Sequence, residues 1–313
     1  MSPQPDLARV SVIIPVHGQR DILEAHIQQH EPLYKKSGQT IWVATPSSDQ
    51  AQQLAQQAAN RLGGKYLEIG PGLYRAWNTA ISHANQDWIY LNTVGDFCDP
   101  EALRKLLEMA AVAGAEVAFT PPRGSRTDPD FRNWPLVQHA AMLEAHEGKI
   151  IPSSAMVRLQ IQAGDCNLLG SLAGAIFSSR CLSRSPFRTD FKSFGDTAWT
   201  YEYCARVGFL YSSNPVASFL FHDSLRPAIH PRDTHRLLNL LAGQLPPHRQ
   251  PEAKKHIGRY ILFRRILNRI RGARPSFSWL VSPAAWWLRW RRIRAFASMS
   301  RFLEQSFSAS QDP

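Results

Sequence analysis

Hydrophobic and polar positions over the first 120 residues fall into two alternating rhythms. Val10 to Val16, VSVIIPV, is a continuous apolar and β-branched run ended by Pro15 and Gly18. It predicts a central strand buried on both faces. Arg20 to His30 places Ile22, Leu23 and Ile27 on one side of a helix. Thr40 to Thr45, TIWVAT, is a second strand. Ser47 or Ser48 then caps a Gln- and Ala-rich helix from Asp49 to Leu62. Gly63-Gly64 stops that helix, and Lys65 to Ile69 is a third strand. Leu73, Ala76, Trp77, Ala80, Ile81 and Ala84 recur at helical spacing before a short apolar run, Trp88 to Leu91. That run predicts a buried strand. Glu101 to Ala113 is a helix and Ala115 to Thr120 a fifth strand. Strands alternating with helices of about 10–15 residues predict an α/β fold with a doubly wound, mostly parallel sheet.

Beyond Pro121-Pro122 the rhythm loosens. Residues 123–167 mix Arg, Pro, Trp and His without a clear period. Gly170 to Phe177, GSLAGAIF, is small and apolar and predicts a strand in close packing. Its approach, Asp165 to Gly174, either lines a cleft or simply packs. Phe191 to Arg206 opens as a loop and turns helical near Asp196. Val216 to Phe221 is a strand ending at His222, and helix returns from Pro227. Pro246-Pro247 reads as a linker into a basic tail. The expected organisation is one α/β domain over 1–230 and a helical extension over 231–313.

Charge sharpens that division. The net charge is +11 over 313 residues. Thirteen Lys or Arg lie between Lys254 and Arg301, with no acid from Ala253 to Leu303, so the rest of the chain is close to neutral. A basic tail interleaved with Trp, Tyr and Phe suits an anionic surface. A membrane headgroup zone is preferred here to single-stranded nucleic acid. A packed extension with solvated charges is the second reading, ahead of nucleic acid.

Four cysteines, Cys98, Cys166, Cys181 and Cys204, have no paired spacing and read as reduced thiols. The amino terminus lacks a charged-then-apolar leader, and residues 276–288 fall short of the roughly 20 needed to cross a bilayer. The expected location is cytoplasmic, peripheral on the inner face of the membrane.

The candidate chemistry sits after Trp88–Leu91. The polar turn Asn92-Thr93-Val94-Gly95-Asp96 follows a strand, and ligands of open α/β sheets bind at strand carboxyl ends. An acid placed there can hold a metal ion, and the ion a phosphate. Gly-Asp equally suits a tight turn. Asp196 starts a helix, where a carboxylate stays ionised for a base role or serves as a cap. His222 follows a strand and is either a metal ligand or bonded to backbone. Arg75 either pairs with an anion or is a solvated charge.

Together these stretches resemble family 2 glycosyltransferases of GT-A fold over roughly residues 9–225. VSVIIPVHG, GLYRAWNTAI, DWIYLN with its acidic turn, and Gly195-Asp196 before a Trp/Tyr helix carry the resemblance. Gly72, Tyr74, Ala76 and Asn78 match the Gly-x-Tyr-x-Ala-x-Asn pattern of one bacterial branch. The resemblance implies transfer of a sugar from a nucleotide-diphosphate donor to a saccharide or lipid-linked acceptor. It further implies Mg²⁺ or Mn²⁺, inversion, and work in cell-surface polysaccharide synthesis. It assigns Asp196 as base, Asp96 and His222 to the metal, and Pro15, His17, Asp49, Tyr74, Asn78 and Asn92 to the donor side. Two departures stand out. Ala44 and Thr45 occupy the places of base-contacting acids, and Thr93-Val94-Gly95-Asp96 replaces an Asp-x-Asp motif. They leave a second reading: a GT-A-like protein that binds nucleotide sugar or a partner without turnover.

Overall fold

The computed structural model describes residues 6–18, 20–46, 50–123, 136, 139–163, 167–218, 231–272 and 283–309. The chain opens with β1 (Val10–Val16), α1 (Arg20–Lys36), β2 (Gln39–Ala44), α2 (Ala51–Arg61) and β3 (Lys65–Glu68). It continues through α3 (Leu73–Ser82), β4 (Trp88–Leu91), β5 (Phe97–Cys98), α4 (Pro100–Ala113) and β6 (Val117–Phe119). Then come α5 (Ala140–Glu144), β7 (Ile150–Ile151), α6 (Ser153–Ala163), β8 (Ala175–Ser178) and α7 (Ser179–Arg184). α8 (Gly195–Tyr203), β9 (Phe209–Tyr211) and β10 (Ala217–Ser218) precede three long helices. These are α9 (Pro231–Gly243), α10 (Gln250–Gly272) and α11 (Pro283–Ser308).

The main sheet has the order β3-β2-β1-β4-β8-β6-β9-β7. Its first four strands are parallel. β8 then runs antiparallel to both β4 and β6. β9 is parallel to β6, and β7 closes the sheet antiparallel to β9. The fifth strand of the sequence pattern therefore does not lie beside β4. β8, which starts 58 residues after the start of β6, comes between them.

Strand alternation builds two cores. Ile13, Ile41, Val43, Ile89, Leu91, Val117, Phe119, Phe177 and Phe209 face one side of the sheet. Val12, Ile14, Trp42, Tyr90, Ala118, Ile176 and Leu210 face the other. The period of two along each strand accounts for this division. Leu23, Ile27 and Leu33 of α1, the alanines of α2, and Leu103, Leu106 and Leu107 of α4 cover the second face. α3, α6, α8 and α9 cover the first. The product is a three-layer α/β/α domain with a doubly wound, mixed but mostly parallel sheet.

Several boundaries differ from the sequence pattern for identifiable reasons. α1 runs through Pro32 to Lys36, because Leu33 and Tyr34 in its last turn are buried. α2 begins after Gln50, whose φ of 60° ends the preceding backbone and whose own side chain does not cap the helix. Ser47, Ser48 and Asp49 lie outside the described residues. The 170–177 stretch begins as a turn and a 3-10 segment, Leu172–Gly174, so its strand starts only at Ala175. β10 is two residues long, and 219–230, with His222, fall outside the described residues.

The basic tail joins the first core. Leu237 and Leu241 of α9, Ile257 and Ile261 of α10, and Met299, Leu303 and Phe307 of α11 are buried in it. α11 lies against both α10 and α6. No helix among the described residues is long and apolar enough to cross a membrane. Cys98, Cys181 and Cys204 are free and buried, and burial pushes the Cys98 and Cys181 thiols up to about 12.

Candidate active site

The parallel strands end along one edge of the sheet, and the loops leaving β1, β2 and β4 share that edge. After β4 the backbone turns sharply. The Asp96 N–H donates to the Thr93 carbonyl at 3.0 Å, and Gly95 between them has φ 98°. That backbone is a left-handed turn position, which only glycine occupies without strain. Gly-Asp thus sets the turn and also places Asp96 at its end. Asp96 is only 7% exposed, and its Oδ2 accepts from the Ser171 hydroxyl at 3.0 Å.

A polar stripe on α1 supports this turn from beneath. His26, His30 and Tyr34 stand four residues apart on the buried side of the helix. His26 Nδ1 accepts from the Gly95 N–H at 3.4 Å, and His30 Nε2 accepts from the Cys98 N–H at 3.0 Å. His30 Nδ1 donates to the His26 carbonyl at 2.8 Å, a tautomer assigned from these bonds. The two rings lie 4.1 Å apart by centroid. Burial, then the neighbouring His30, holds His26 down to about 3, and burial lowers His30 as well. Both rings are therefore neutral acceptors at physiological pH. Tyr34 takes the Asn92 amide, Nδ2 donating at 2.9 Å. The Asn92 side chain thus points into the interior behind the strand, where its Oδ1 has no partner among the described residues.

Asp196 occupies the first turn of α8. Its Oδ1 accepts from the Tyr74 hydroxyl and from the Thr197 N–H, each at 2.7 Å. Its Oδ2 accepts from the Asn167 amide at 3.2 Å. Burial, then the adjacent Asp196 carboxylate, pushes the Tyr74 phenol far above its usual range, so it remains a donor. Asn78 clasps the backbone of Phe187 from both sides, Nδ2 to the carbonyl at 2.8 Å and the N–H to Oδ1 at 2.9 Å. Gly195 lets the segments close. A Cβ there would collide with the Arg188 carbonyl and the Tyr74 ring. Tyr74 and Asn78 therefore tie α3 to the segment between α7 and α8 that leads to Asp196.

One short turn connects the two acids. Asn167, which holds Asp196, and Ser171, which holds Asp96, bracket a turn closed by Gly170 N–H to the Asn167 carbonyl at 3.0 Å. Thr200 fixes Asn167 further, its hydroxyl donating to Oδ1 at 3.0 Å. Both carboxylates thus meet opposite ends of one five-residue loop. The remaining candidates are spread along the edge. His17 is exposed one residue past β1, and Pro15 is half-buried in register with Val43. Asp49 and His222 lie outside the described residues. Asp99 caps α4 through the Glu101 and Ala102 N–H groups and pairs with Arg123 at 2.6 Å. Arg75 is exposed.

A divalent ion can be tested against these donors. Among the described residues no three His, Cys, Asp or Glu side chains cluster as a cage. Mg²⁺ is commonly held by one or two carboxylates together with substrate phosphates, and a single buried Asp96 fits that pattern.

The family model for "Glycosyl transferase family 2" matches residues 11–189, more than half of the chain. The chain belongs to glycosyl transferase family 2. TarS from S. aureus, residues 1–349, solved in complex with UDP-GlcNAc, is 17% identical with a TM-score of 0.55, covering 96% of this chain and 83% of that one. A longer TarS structure is 15% identical with a TM-score of 0.54 over 93% of this chain. This chain spans 55% of that protein, about half its length. Glucosyl-3-phosphoglycerate synthase from Mycobacterium tuberculosis, solved with Mn²⁺, UDP and glucosyl-3-phosphoglycerate, is 15% identical over 75% of this chain and 79% of that one, with a TM-score of 0.49. A search of curated proteins finds no match. The TarS likenesses show the fold, GT-A, as the resemblance implies.

Three residues of this family 2 transferase escaped the sequence pattern. His26 and His30 were readable as polar positions on an otherwise apolar stripe, spaced four apart. Asn167 lies where the sequence shows no period, and only its contact with Asp196 gives it a role.

Proposed function

We propose that this chain transfers a sugar from a nucleotide-diphosphate donor to a hydroxyl of a saccharide or lipid-linked acceptor, with inversion, in cell-surface polysaccharide synthesis. The observation that carries this reading is the Asn167–Ser171 turn, which bonds Asp196 at one end and Asp96 at the other. In an inverting transfer the base and the departing diphosphate must stand on opposite sides of one sugar. Two acids at the ends of one short loop suit that requirement.

Asp196 is the acceptor-side base in this scheme. Oδ1 is engaged by Tyr74 and Thr197, while Oδ2 takes one bond from Asn167 and keeps a second lone-pair direction for an acceptor hydroxyl. The acceptor proton passes to Oδ2 as its oxygen attacks the anomeric carbon. The bond from that carbon to the diphosphate oxygen breaks, and the nucleotide diphosphate leaves with the electron pair. Asp96 would hold Mg²⁺ or Mn²⁺ with the donor diphosphate, and His222 is the second protein ligand in this reading. A bound divalent ion stabilises the charge that develops on the departing phosphate. Ser218, four residues before His222, pairs with Phe97, which directly follows Asp96. The nucleotide would lie over the ends of β1 and β2, beside Pro15, His17 and Asp49. Tyr74 and Asn78 act by positioning Asp196. An enzyme with a lipid-linked acceptor works at the inner face of the membrane.

A single observation favours the other reading, a binding protein without turnover. Only one acid stands in the strand-end turn, and Ala44 and Thr45 end β2 where acids would be expected. Hydrolysis of UDP- and GDP-sugars with and without Mn²⁺ separates the two. Metal-stimulated release of nucleotide that disappears in Asp96→Ala, with an unchanged melting temperature, supports the enzyme. Nucleotide binding without release under all conditions supports the binding protein.

A further inference from the structure

Helix α11 carries a buried face and, about 100° round its axis, an exposed apolar stripe. The inward face of α11 buries Ala285, Met299, Leu303 and Phe307. At 100° per residue, Trp286, Trp290 and Ile293 fall together on its outward side. They are 63%, 46% and 59% exposed, and Trp287 beside them is 50% exposed. Leu262 of the adjacent α10 is 54% exposed. Soluble surfaces carry single exposed apolar residues routinely, but not large ones clustered on one helix face.

Arginines border this apolar stripe. Arg294 lies over the Trp290 ring at 4.5 Å, and Arg291 over Trp287 at 4.9 Å. Between α10 and α11 runs a groove of about 630 Å³, lined by Arg259, Arg291, Arg294 and Arg301 with His256 and Ser298. Among the described residues no carboxylate pairs with Arg259, Arg291 or Arg294. The nearest acids in sequence, Glu252 and Glu304, lie toward His256 and Arg158 instead. The positive charge of these arginines is thus concentrated and contiguous with indole.

We propose that the Trp286–Trp290–Ile293 face of α11, with the arginine groove beside it, docks flat on an anionic lipid bilayer. The guanidinium groups meet lipid phosphates, and the indoles and Ile293 sit at headgroup depth. Indole at that depth buries its ring while its N–H stays hydrated, and arginine there pairs with phosphate bidentately. Nucleic acid would also satisfy the arginines, but Ile293 and Leu262 have no π-face to stack on a base and would gain nothing there. The proposal extends the inner-face placement given above and rests on it only for which membrane is met.

The test is co-sedimentation of the full chain with vesicles of phosphatidylcholine alone or with about 30% phosphatidylglycerol. A parallel arm titrates a single-stranded oligonucleotide at about 0.15 M salt. The expected result is partition onto the anionic vesicles only, weakened by added salt. The exposed variants Trp286→Ala/Trp290→Ala and Arg291→Glu/Arg294→Glu each lower that partition by about tenfold or more, with melting temperatures unchanged. Asp96→Ala partitions like the parent, so a failure of the catalytic reading leaves this result intact. Equal binding to neutral and anionic vesicles, partition unaltered in both variants, or oligonucleotide binding without vesicle binding each overturns the proposal.

Discussion

Asp96 and Asp196 are both acids at the mouth of one sheet, yet the fold restrains them differently. Asp196 is gripped at the carboxylate, by Tyr74 from α3, Asn167 from a loop and Thr197 from its own helix. Asp96 takes the Ser171 hydroxyl at its carboxylate and is supported through the backbone beside it, where two neutral histidines of α1 accept the Gly95 and Cys98 N–H groups. A base that must point one oxygen at a substrate hydroxyl benefits from the first arrangement. An acid that meets a cation and a phosphate benefits from the second, which locates the turn while the ligand supplies the remaining bonds. The difference in support is a difference in task.

The largest effect is expected at Asp196 itself. Asp196→Asn keeps the volume and removes the proton acceptor, so kcat should fall by about 10²–10⁴ with the donor KM little changed. An equal loss in donor affinity would mean that Asp196 binds the donor instead. Gly195→Ala comes next. The new methyl meets the Arg188 carbonyl and the Tyr74 ring, and overpacking of this kind costs about 1–3 kcal/mol. It should lower the melting temperature and activity together. Asn78→Ala leaves the Phe187 N–H and carbonyl without partners and should cost about 2 kcal/mol by urea denaturation. A neutral result there would remove α3 from the support of Asp196. Tyr74→Phe deletes one hydrogen bond to a charged acceptor and should slow transfer by about tenfold.

The histidine pair gives a smaller, pH-dependent signature. His26 in the folded chain titrates near 3, and unfolded histidine near about 6.5. Between those values the unfolded chain takes up a proton that the folded chain refuses. Stability is therefore full above about pH 6.5 and declines as the pH falls toward 3, by about 1.4 kcal/mol per pH unit for His26 alone. His26→Gln should flatten that slope between pH 6.5 and 4.5 in urea titrations. An unchanged slope would show that the ring is not buried neutral.

What the sequence disclosed follows the same contrast. The parallel half was legible because β1, β2 and β4 are continuous apolar runs with helices of regular period between them. Asp96 and Asp196 were legible because Gly-Asp marks both positions. The other half was not. β7 and β9 are two and three residues long, too short to show a period. β8 reaches its place between β4 and β6 by long-range pairing that no local pattern encodes. The roles of Tyr74 and Asn78 were also out of reach. A motif of Gly, Tyr, Ala and Asn on a helix does not reveal that two of its side chains reach residues 187 and 196. Of the readings the tail allows, the packed extension is the one in which α10 and α11 join the first core, as their apolar positions do.

The division of labour between the two acids can be measured in one calorimetric series, titrating UDP and GDP into the protein with Mn²⁺ or with EDTA. Asp196→Asn should bind the nucleotide with an affinity within about threefold of the parent, and binding should need the metal. Asp96→Asn should lose the metal-dependent part, about a hundredfold or more. Nucleotide binding that is indifferent to Mn²⁺ and unchanged in Asp96→Asn would contradict the assignment of that turn to the donor diphosphate.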